Sequence, residues 1–241
     1  MLNPPILLFD FDGVIITQKA LEYTALKLLK SKFYKFKNIR ELRLIDIARL
    51  FEEADEKNRI KALIRVYKSY KRYIPSKWKR IIFFFKFKRT YPQYEKYETL
   101  KPNMENILKK LKANKIPMGI VSNTSTNRLN FFRSLLNLDK FFSVYISRDN
   151  SSYRKPNPYP IILALEQIKT IYNYSIKKNN VYFVGDLPAD IETAKNAGIK
   201  SIALLSGHGA KKDLEESNPT VILESIEFLL EFEPIKKFLL N

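Results

Sequence analysis

The chain begins with an apolar run that ends abruptly in two closely spaced carboxylates. Residues 6–9 are isoleucine, leucine or phenylalanine, and Asp10, Asp12 and Gly13 follow them. Such a run is typical of a strand that is buried on both faces of a parallel sheet. Because open parallel sheets bind ligands beyond the carboxyl ends of their strands, we expect both carboxylates at a binding site. Asp-Gly is also ordinary turn chemistry, so a surface turn is the alternative for this segment alone.

Composition limits the chemistry that the chain can carry out. Its 241 residues, 45% of them hydrophobic, are enough for one large domain or for a core domain with an insert. The absence of cysteine excludes disulfides, thiolate metal sites and a cysteine nucleophile. Asp10 interrupts the apolar amino-terminal segment, and no apolar run approaches the roughly 18 residues that a membrane span needs. We therefore expect a soluble, cytoplasmic protein with no membrane partner.

Positive charge is concentrated in the first half of the chain. Residues 17–98 hold 23 lysines and arginines against nine aspartates and glutamates, so this third carries +14 of the net charge of +18. Such a field attracts anionic ligands, from small phosphates to nucleic acid. The alternative is a solvated basic helical surface that only keeps the protein soluble.

The sequence between Val14 and about residue 97 has a helical period. The basic and aromatic residues that alternate over 32–37 are expected on an exposed helix flank, with base stacking as the alternative. Three apolar stripes at helical spacing predict the inner faces of a small bundle. They are Leu44, Ile47, Ala48 and Phe51; Ile60, Leu63, Ile64 and Tyr67; and Trp78, Ile81, Ile82 and Phe85.

From residue 100 onward, predicted strands alternate with predicted helices. The strands are expected over residues 117–121, 142–146, 181–184, 201–205 and, at an edge, 220–223. The helices are expected over residues 104–112, 126–136, 160–171, 191–197 and 226–232. This alternation predicts an α/β fold with a doubly wound parallel sheet.

Polar residues follow several of these strands. Ser122 and Asn123 follow the second strand, and Asp186 and Asp190 follow the strand at 181–184. Parallel topology would bring them to the edge that holds the first two carboxylates. A cluster of acids needs compensation, which a divalent cation supplies at least cost. With no cysteine and one histidine in the chain, the ligand set favours Mg²⁺ over zinc.

Lys155 stands in a segment that three alternating prolines stiffen, over residues 154–160. A lysine on such a rigid backbone loses less entropy when it is held in one place. Its ammonium could balance the carboxylates or bind a phosphoryl oxygen. A solvent-facing loop lysine is the alternative.

Four short motifs, taken in order, resemble those of the haloacid dehalogenase-like hydrolases, a superfamily of phosphatases. They are residues 10–14, residues 122–124, Lys155-Pro156 and residues 185–190, and the likeness covers residues 5–16 and 98–232. It implies a Rossmann-like core of residues 1–16 and 98–241. Residues 17–97 would form an inserted helical cap that closes over the site and selects the substrate.

The resemblance also implies the roles of the site residues. Asp10 would be the nucleophile that forms an aspartyl-phosphate, and Asp12 the general acid and base. The Ser122 hydroxyl and the backbone N–H of Asn123 would hold phosphoryl oxygens, and Lys155 would hold both the phosphate and Asp10.

A metal site follows from the same resemblance. Mg²⁺ would be bound by Asp10, Asp186 and the backbone carbonyl of Asp12. Asp190 would orient Lys155 or a metal-bound water. His208, the only histidine, is expected to be an ordinary loop residue, with a contact to the substrate at the rim of the active site as the alternative.

Three functions remain open at this point. The first is a Mg²⁺-dependent phosphatase of a small phosphorylated metabolite. The second is a phosphomutase of the same superfamily. The third is a nucleic-acid-binding protein, with or without end-phosphatase activity, that uses the basic aromatic cap.

Overall fold

The computed structural model describes residues 4–17, 19–29, 74, 76–173 and 175–240. The chain divides into two units, one of Met1–Thr17 with Leu100–Asn241 and one of Gln18–Thr99. The assignment of residues 17–97 as a cap stays a prediction. The predicted stripes at residues 44–51 and 60–67, and the basic aromatic segment 32–37, lie outside the described residues.

The first unit is built on a parallel sheet. Its strands are β1 (Ile6–Phe9), β2 (Met118–Val121), β3 (Val144–Ile146), β4 (Val181–Gly185), β5 (Lys200–Leu204) and β6 (Val221–Leu223). They follow the order β3-β2-β1-β4-β5-β6, and every neighbouring pair is parallel. This order confirms the predicted doubly wound sheet, with β6 at one edge.

Helices cover both faces of this sheet. The helices Met104–Ala113, Thr126–Leu135 and Glu233–Leu239 pack on one face, and the helices Tyr159–Tyr172 and Pro188–Ala197 pack on the other. Short 3₁₀ helices lie at Leu138–Lys140, Lys178–Asn180 and Ile226–Glu231, the last of them within the helix predicted over residues 226–232. The α-helices of this unit are α3 (Met104–Ala113), α4 (Thr126–Leu135), α5 (Tyr159–Tyr172), α6 (Pro188–Ala197), α7 (Lys211–Glu216) and α8 (Glu233–Leu239).

The first strand shows why an unbroken apolar run is needed at the centre of the sheet. Successive side chains of a strand point to opposite faces. Leu7 and Phe9 pack in the core under α3 and α4, whereas Ile6 and Leu8 pack under α5 and α6. Because helices cover both faces, all four side chains are buried.

The second unit contains α1 (Lys19–Leu29), α2 (Lys77–Thr90) and the 3₁₀ helices Tyr91–Gln93 and Glu95–Tyr97. The carboxylate of Glu98 accepts hydrogen bonds from the backbone N–H groups of Lys19 at 3.0 Å and Ala20 at 2.9 Å. These N–H groups belong to the first turn of α1, where no helical carbonyl can accept from them. Glu98 therefore satisfies the amino end of α1.

The structure corrects the predicted inner face of α2. Phe83 and Phe87 are buried, whereas Trp78, Ile82 and Phe85 are exposed. The prediction was wrong for these three residues because α2 is apolar on two opposite sides. A helical period identifies a stripe, but it cannot tell which of two stripes faces the protein.

Candidate active site

The register of the sheet brings the polar residues of three motifs to one edge. Phe9 of β1 lies between Ile120 of β2 and Val184 of β4. Asp10 therefore follows β1 at the level where the neighbouring strands also end. Its backbone N–H donates to the Val184 carbonyl at 2.8 Å. The order of the strands also reverses at β1, which is where open parallel sheets bind ligands.

Lys155 joins two carboxylates at this edge. Its Nζ lies 2.7 Å from Oδ1 of Asp10 and 2.6 Å from Oδ1 of Asp190, and all three side chains are buried. The alternative of a solvent-facing lysine is therefore wrong. Oδ2 of Asp190 accepts from the backbone N–H groups of Asp186 at 3.1 Å and Leu187 at 3.0 Å. Both oxygens of Asp190 are therefore engaged. Oδ1 positions Lys155, and Oδ2 positions the turn that follows β4.

Burial sets the electrostatics of this group. Burial lowers the pKa of Lys155, but the Asp10 and Asp190 carboxylates outweigh it, so the net pKa is raised. Burial raises the pKa of Asp10 well above its ordinary value, while Lys155 opposes this and Asp190 and Asp186 add to it. Two lysines, Lys155 and Lys101, act on the three acids, which still leaves an excess of negative charge that a further cation would relieve.

Asp186 is enclosed by backbone. Its Oδ2 accepts from the backbone N–H of His208 at 2.6 Å, and a Cβ added at Gly13 or Gly207 would collide with its side chain. Gly13 also has a positive φ of 77°, which favours glycine. Within the described part of the chain, Oδ1 of Asp186 is buried and has no hydrogen-bond partner. A buried, unsatisfied carboxylate oxygen is costly unless something outside the protein binds it.

His208 is not the ordinary loop residue that the sequence predicted. It is buried, and its Nδ1 lies 3.2 Å from Oδ2 of Asp186. Burial lowers the pKa of His208 to about 4, so the imidazole is neutral near pH 7. The glycines on either side of it, Gly207 and Gly209, allow the loop to approach Asp186 closely enough for this burial.

The acidic group fits a hard divalent cation. Asp10, Asp186 and Asp190 each offer an oxygen, and these oxygens lie within 4.8 Å of one another. Carboxylate oxygens are the ligands that Mg²⁺ prefers. Because both oxygens of Asp190 are already engaged, Asp10 and Asp186 are the better candidates to bind the metal. The side chain of Asp12 is not part of this group, and a contribution from its backbone carbonyl stays a prediction.

The carboxylate of Asp12 is instead held by Arg128, which the sequence analysis missed. Nη1 of Arg128 donates to Oδ2 of Asp12 at 2.7 Å and to the Thr124 hydroxyl at 3.1 Å. Arg128 lies in the first turn of α4, where no acidic residue offsets it. A cation at the amino end of a helix opposes the helix dipole. The position of Arg128 in the sequence therefore indicates that this side chain needs an acidic partner.

The motif after β2 connects to the loop that carries Lys155. The side chain of Asn123 accepts from the Lys155 backbone N–H at 3.1 Å and donates to the Lys155 carbonyl at 3.4 Å. Ser122 is buried, and its hydroxyl accepts from the Thr124 backbone N–H at 3.2 Å. The side chain of Asn123 therefore helps to position Lys155, a contact that the sequence analysis did not anticipate.

We predict that the affinity for Mg²⁺ rises with pH. Burial, and then the neighbouring Asp190, raise the pKa of Asp186 to about 7, so the metal-free carboxyl is largely protonated at lower pH. A cation must displace this proton. Titration calorimetry should show tightening from about pH 5.5 to about pH 7.5, with proton uptake by the buffer. An affinity that does not change over this range would contradict the assignment of Asp186 as a ligand.

Comparison with known proteins places the chain among hydrolases. The family model described as "Haloacid dehalogenase-like hydrolase" matches residues 7–204. The phosphoglycolate phosphatase of Escherichia coli (strain K12) is 34% identical over 129 residues, or 54% of this chain and 49% of that protein. The phosphoglycolate phosphatase of Photorhabdus laumondii is 30% identical over 129 residues, or 54% and 53%. The chain thus spans about half the length of these curated relatives.

Solved structures share the fold over nearly the whole chain. A "predicted phosphoglycolate phosphatase" from Haemophilus somnus 129pt superposes with a TM-score of 0.68 at 20% identity, covering 97% of this chain and 99% of that one. A HAD-superfamily hydrolase from Geobacter sulfurreducens PCA gives 0.63 at 17% identity, with 95% of each chain covered. At such identities the likeness concerns the fold alone.

Proposed function

The chain belongs to the haloacid dehalogenase-like hydrolase family, and we propose that it is a Mg²⁺-dependent phosphatase of a small phosphomonoester. The observation that carries the proposal is the Lys155 ammonium held between Asp10 and Asp190 at the carboxyl edge of the sheet. This arrangement presents a nucleophile and a phosphate-binding cation side by side. The phosphoglycolate phosphatases among its relatives support the same class of reaction.

Asp10 is the proposed nucleophile. A carboxylate oxygen of Asp10 attacks phosphorus, the bond from phosphorus to the ester oxygen breaks, and an aspartyl-phosphate forms. Water then attacks this phosphorus, which releases inorganic phosphate and restores the carboxylate. Lys155 holds Oδ1 of Asp10 at 2.7 Å, which fixes the orientation of the carboxylate before substrate binds.

The phosphoryl oxygens need donors and positive charge during this displacement. We assign Lys155, the Ser122 hydroxyl and the backbone N–H of Asn123 as their partners. Asp10 and Asp186, with the backbone carbonyl of Asp12, would hold Mg²⁺, which neutralises charge as an anionic nucleophile approaches an anionic phosphate. The unpartnered Oδ1 of Asp186 supports this metal assignment.

Asp12 is the proposed general acid and base. It would protonate the departing ester oxygen and then accept a proton from the attacking water. Its ion pair with Arg128 holds the carboxylate in a defined place without committing it to the acidic group. Arg128 is therefore assigned as a positioning residue.

The role of Asp12 predicts a dependence on the leaving group. Asp12→Asn removes the proton donor, and general acid catalysis contributes about 10²–10⁴-fold to a rate. We expect the full loss of kcat with an alkyl phosphate, whose leaving oxygen needs a proton. With p-nitrophenyl phosphate, the rate constant of the first step should fall much less, because the phenolate leaves without a proton. Single-turnover kinetics on both substrates tests this, and equal losses would contradict the assignment.

The proposal as a whole is tested by hydrolysis of p-nitrophenyl phosphate with and without EDTA. Activity that EDTA removes and Mg²⁺ restores supports a metal-dependent phosphatase. A panel of metabolite phosphates that includes 2-phosphoglycolate then identifies the substrate. Isomerisation of a sugar phosphate without release of phosphate would identify a phosphomutase. Tight, salt-sensitive binding of single-stranded DNA without any turnover would favour the nucleic-acid alternative.

Residues 17–97 are proposed to select the substrate as a cap. The charge of +14 over residues 17–98 suits an anionic substrate.

Among the described residues, every helix is too short or too polar to span a membrane. The predicted cytoplasmic location stays a prediction.

A further inference from the structure

The outer face of α2 exposes an apolar stripe. Trp78 is 72% exposed, Phe85 is 71% exposed and Ile82 is 38% exposed. Single exposed apolar side chains are common, but a contiguous row that includes tryptophan marks an interaction site more often than a plain surface. We call these three residues the α2 stripe. They belong to one helix of one unit of the chain.

Cations border the α2 stripe on both sides. At about 100° per residue, its three side chains fall within a sector of roughly 60°. Lys79 and Lys86 lie about 80–100° to one side of Trp78, and Lys77 and Lys88 lie at similar angles on the other. All four lysines are exposed, and so is Arg89, which extends the line of the stripe toward the carboxyl end of the helix. The helix contains no acidic residue.

We propose that the α2 stripe docks on the surface of an anionic lipid bilayer. The apolar side chains enter the boundary between headgroups and acyl chains, where tryptophan is favoured. The flanking lysines extend their aliphatic stems along the apolar layer and place their ammonium groups at the lipid phosphates. Phe83 and Phe87, on the opposite side of α2, are buried, and α2 packs against α1 of the same unit.

Other occupants fit the surface less well. A second copy of the chain would bring two strongly basic helices together, and the net charge of +18 opposes this contact. Single-stranded nucleic acid would satisfy the lysines, but the middle residue of the stripe, Ile82, has no ring on which a base could stack. The sequence-based expectation of no membrane partner rested on the length of a span, which surface docking does not require.

The intrinsic tryptophan fluorescence of the protein measures this contact directly, because Trp78 is its only tryptophan. Full-length protein is mixed with vesicles of phosphatidylglycerol and phosphatidylcholine, or of phosphatidylcholine alone. We expect the tryptophan emission to move to shorter wavelength, and brominated lipid to quench it, with the anionic vesicles only. Both effects should weaken as salt is raised, because salt screens the lysines. Unchanged emission with anionic vesicles would overturn the proposal without any variant.

Co-sedimentation with the same vesicles tests the residues. Trp78→Ser with Phe85→Ser should lower the partition coefficient on anionic vesicles at least about tenfold, because most of the inserted apolar area is removed. Phe131→Ser with Leu135→Ser is the matched control, since these side chains are 45% and 46% exposed on α4 of the other unit. The control variant should bind as the wild type does, and circular dichroism shows whether each variant is folded.

Several results would overturn the proposal. Equal binding to anionic and neutral vesicles would show that the lysines do not contribute to membrane binding. An equal loss in the control variant would show that the α2 stripe is not the contact. An emission shift with single-stranded DNA but not with vesicles would identify a nucleic-acid surface. A shift that depends on protein concentration, with sedimentation as a dimer, would identify self-association.

Discussion

Replacing Asp10 with asparagine should abolish phosphomonoester hydrolysis, with kcat falling by at least about 10⁴-fold. An amide cannot form the proposed aspartyl-phosphate, and removal of a catalytic nucleophile typically costs this much or more. The change preserves size and leaves an oxygen that can accept from Lys155, so substrate binding should change far less than turnover. The measurement is steady-state hydrolysis of p-nitrophenyl phosphate, together with the dissociation constant for inorganic phosphate.

Asp139→Asn provides the matched control for this change. Asp139 also loses an ion pair, since its Oδ1 lies 2.6 Å from Nε of Arg133, but both side chains are largely exposed. Exposed pairs contribute about 0–1 kcal/mol, and this one has no proposed catalytic role. We expect Asp139→Asn to retain full activity. Equal activity in wild type and Asp10→Asn would show that Asp10 is not the nucleophile.

The sheet edge could be predicted from sequence because its determinants are local. Each strand is a short apolar run that ends in polar residues, and parallel topology alone brings those ends together. Asp10 and Lys155 are far apart in sequence. Asp10 follows a predicted strand, and Lys155 stands in a loop that three prolines stiffen. The resemblance of the motifs implied their contact, because β2 lies between β1 and β3 and the order of the strands alone does not bring Lys155 to Asp10.

Other features needed the three-dimensional structure. Arg128 reaches Asp12 because α4 begins beside the end of β1, and nothing in the sequence near Asp12 reveals that. The burial of His208 depends on how its loop folds over Asp186, where Gly13 and Gly207 leave the space. The two apolar sides of α2 are equivalent in the sequence pattern, and only packing distinguishes Phe83 and Phe87 from the α2 stripe.

Replacing Lys155 with methionine should reduce both activity and stability. The variant leaves Asp10 and Asp190 buried without their shared cation, and breaking a buried pair on one side costs about 3–5 kcal/mol of unfolding free energy. It also removes the cation proposed to bind phosphate, so kcat/KM should fall by about 10²–10³-fold. Urea unfolding and p-nitrophenyl phosphate hydrolysis measure the two effects.

The stability loss in Lys155→Met should also depend on pH. Without the ammonium that opposes it, burial raises the folded-state pKa of Asp10 further above its unfolded value. A carboxyl of this kind contributes its stability at low pH and loses it as the pH rises through the folded-state pKa. The deficit relative to wild type should therefore be smallest at low pH and grow as the pH rises through the folded-state pKa of Asp10. Lys178→Met, which removes only a hydrogen bond to the Ala197 carbonyl, is the matched control and should show no such trend. A pH-independent deficit would mean that Lys155 contributes packing rather than charge to the site.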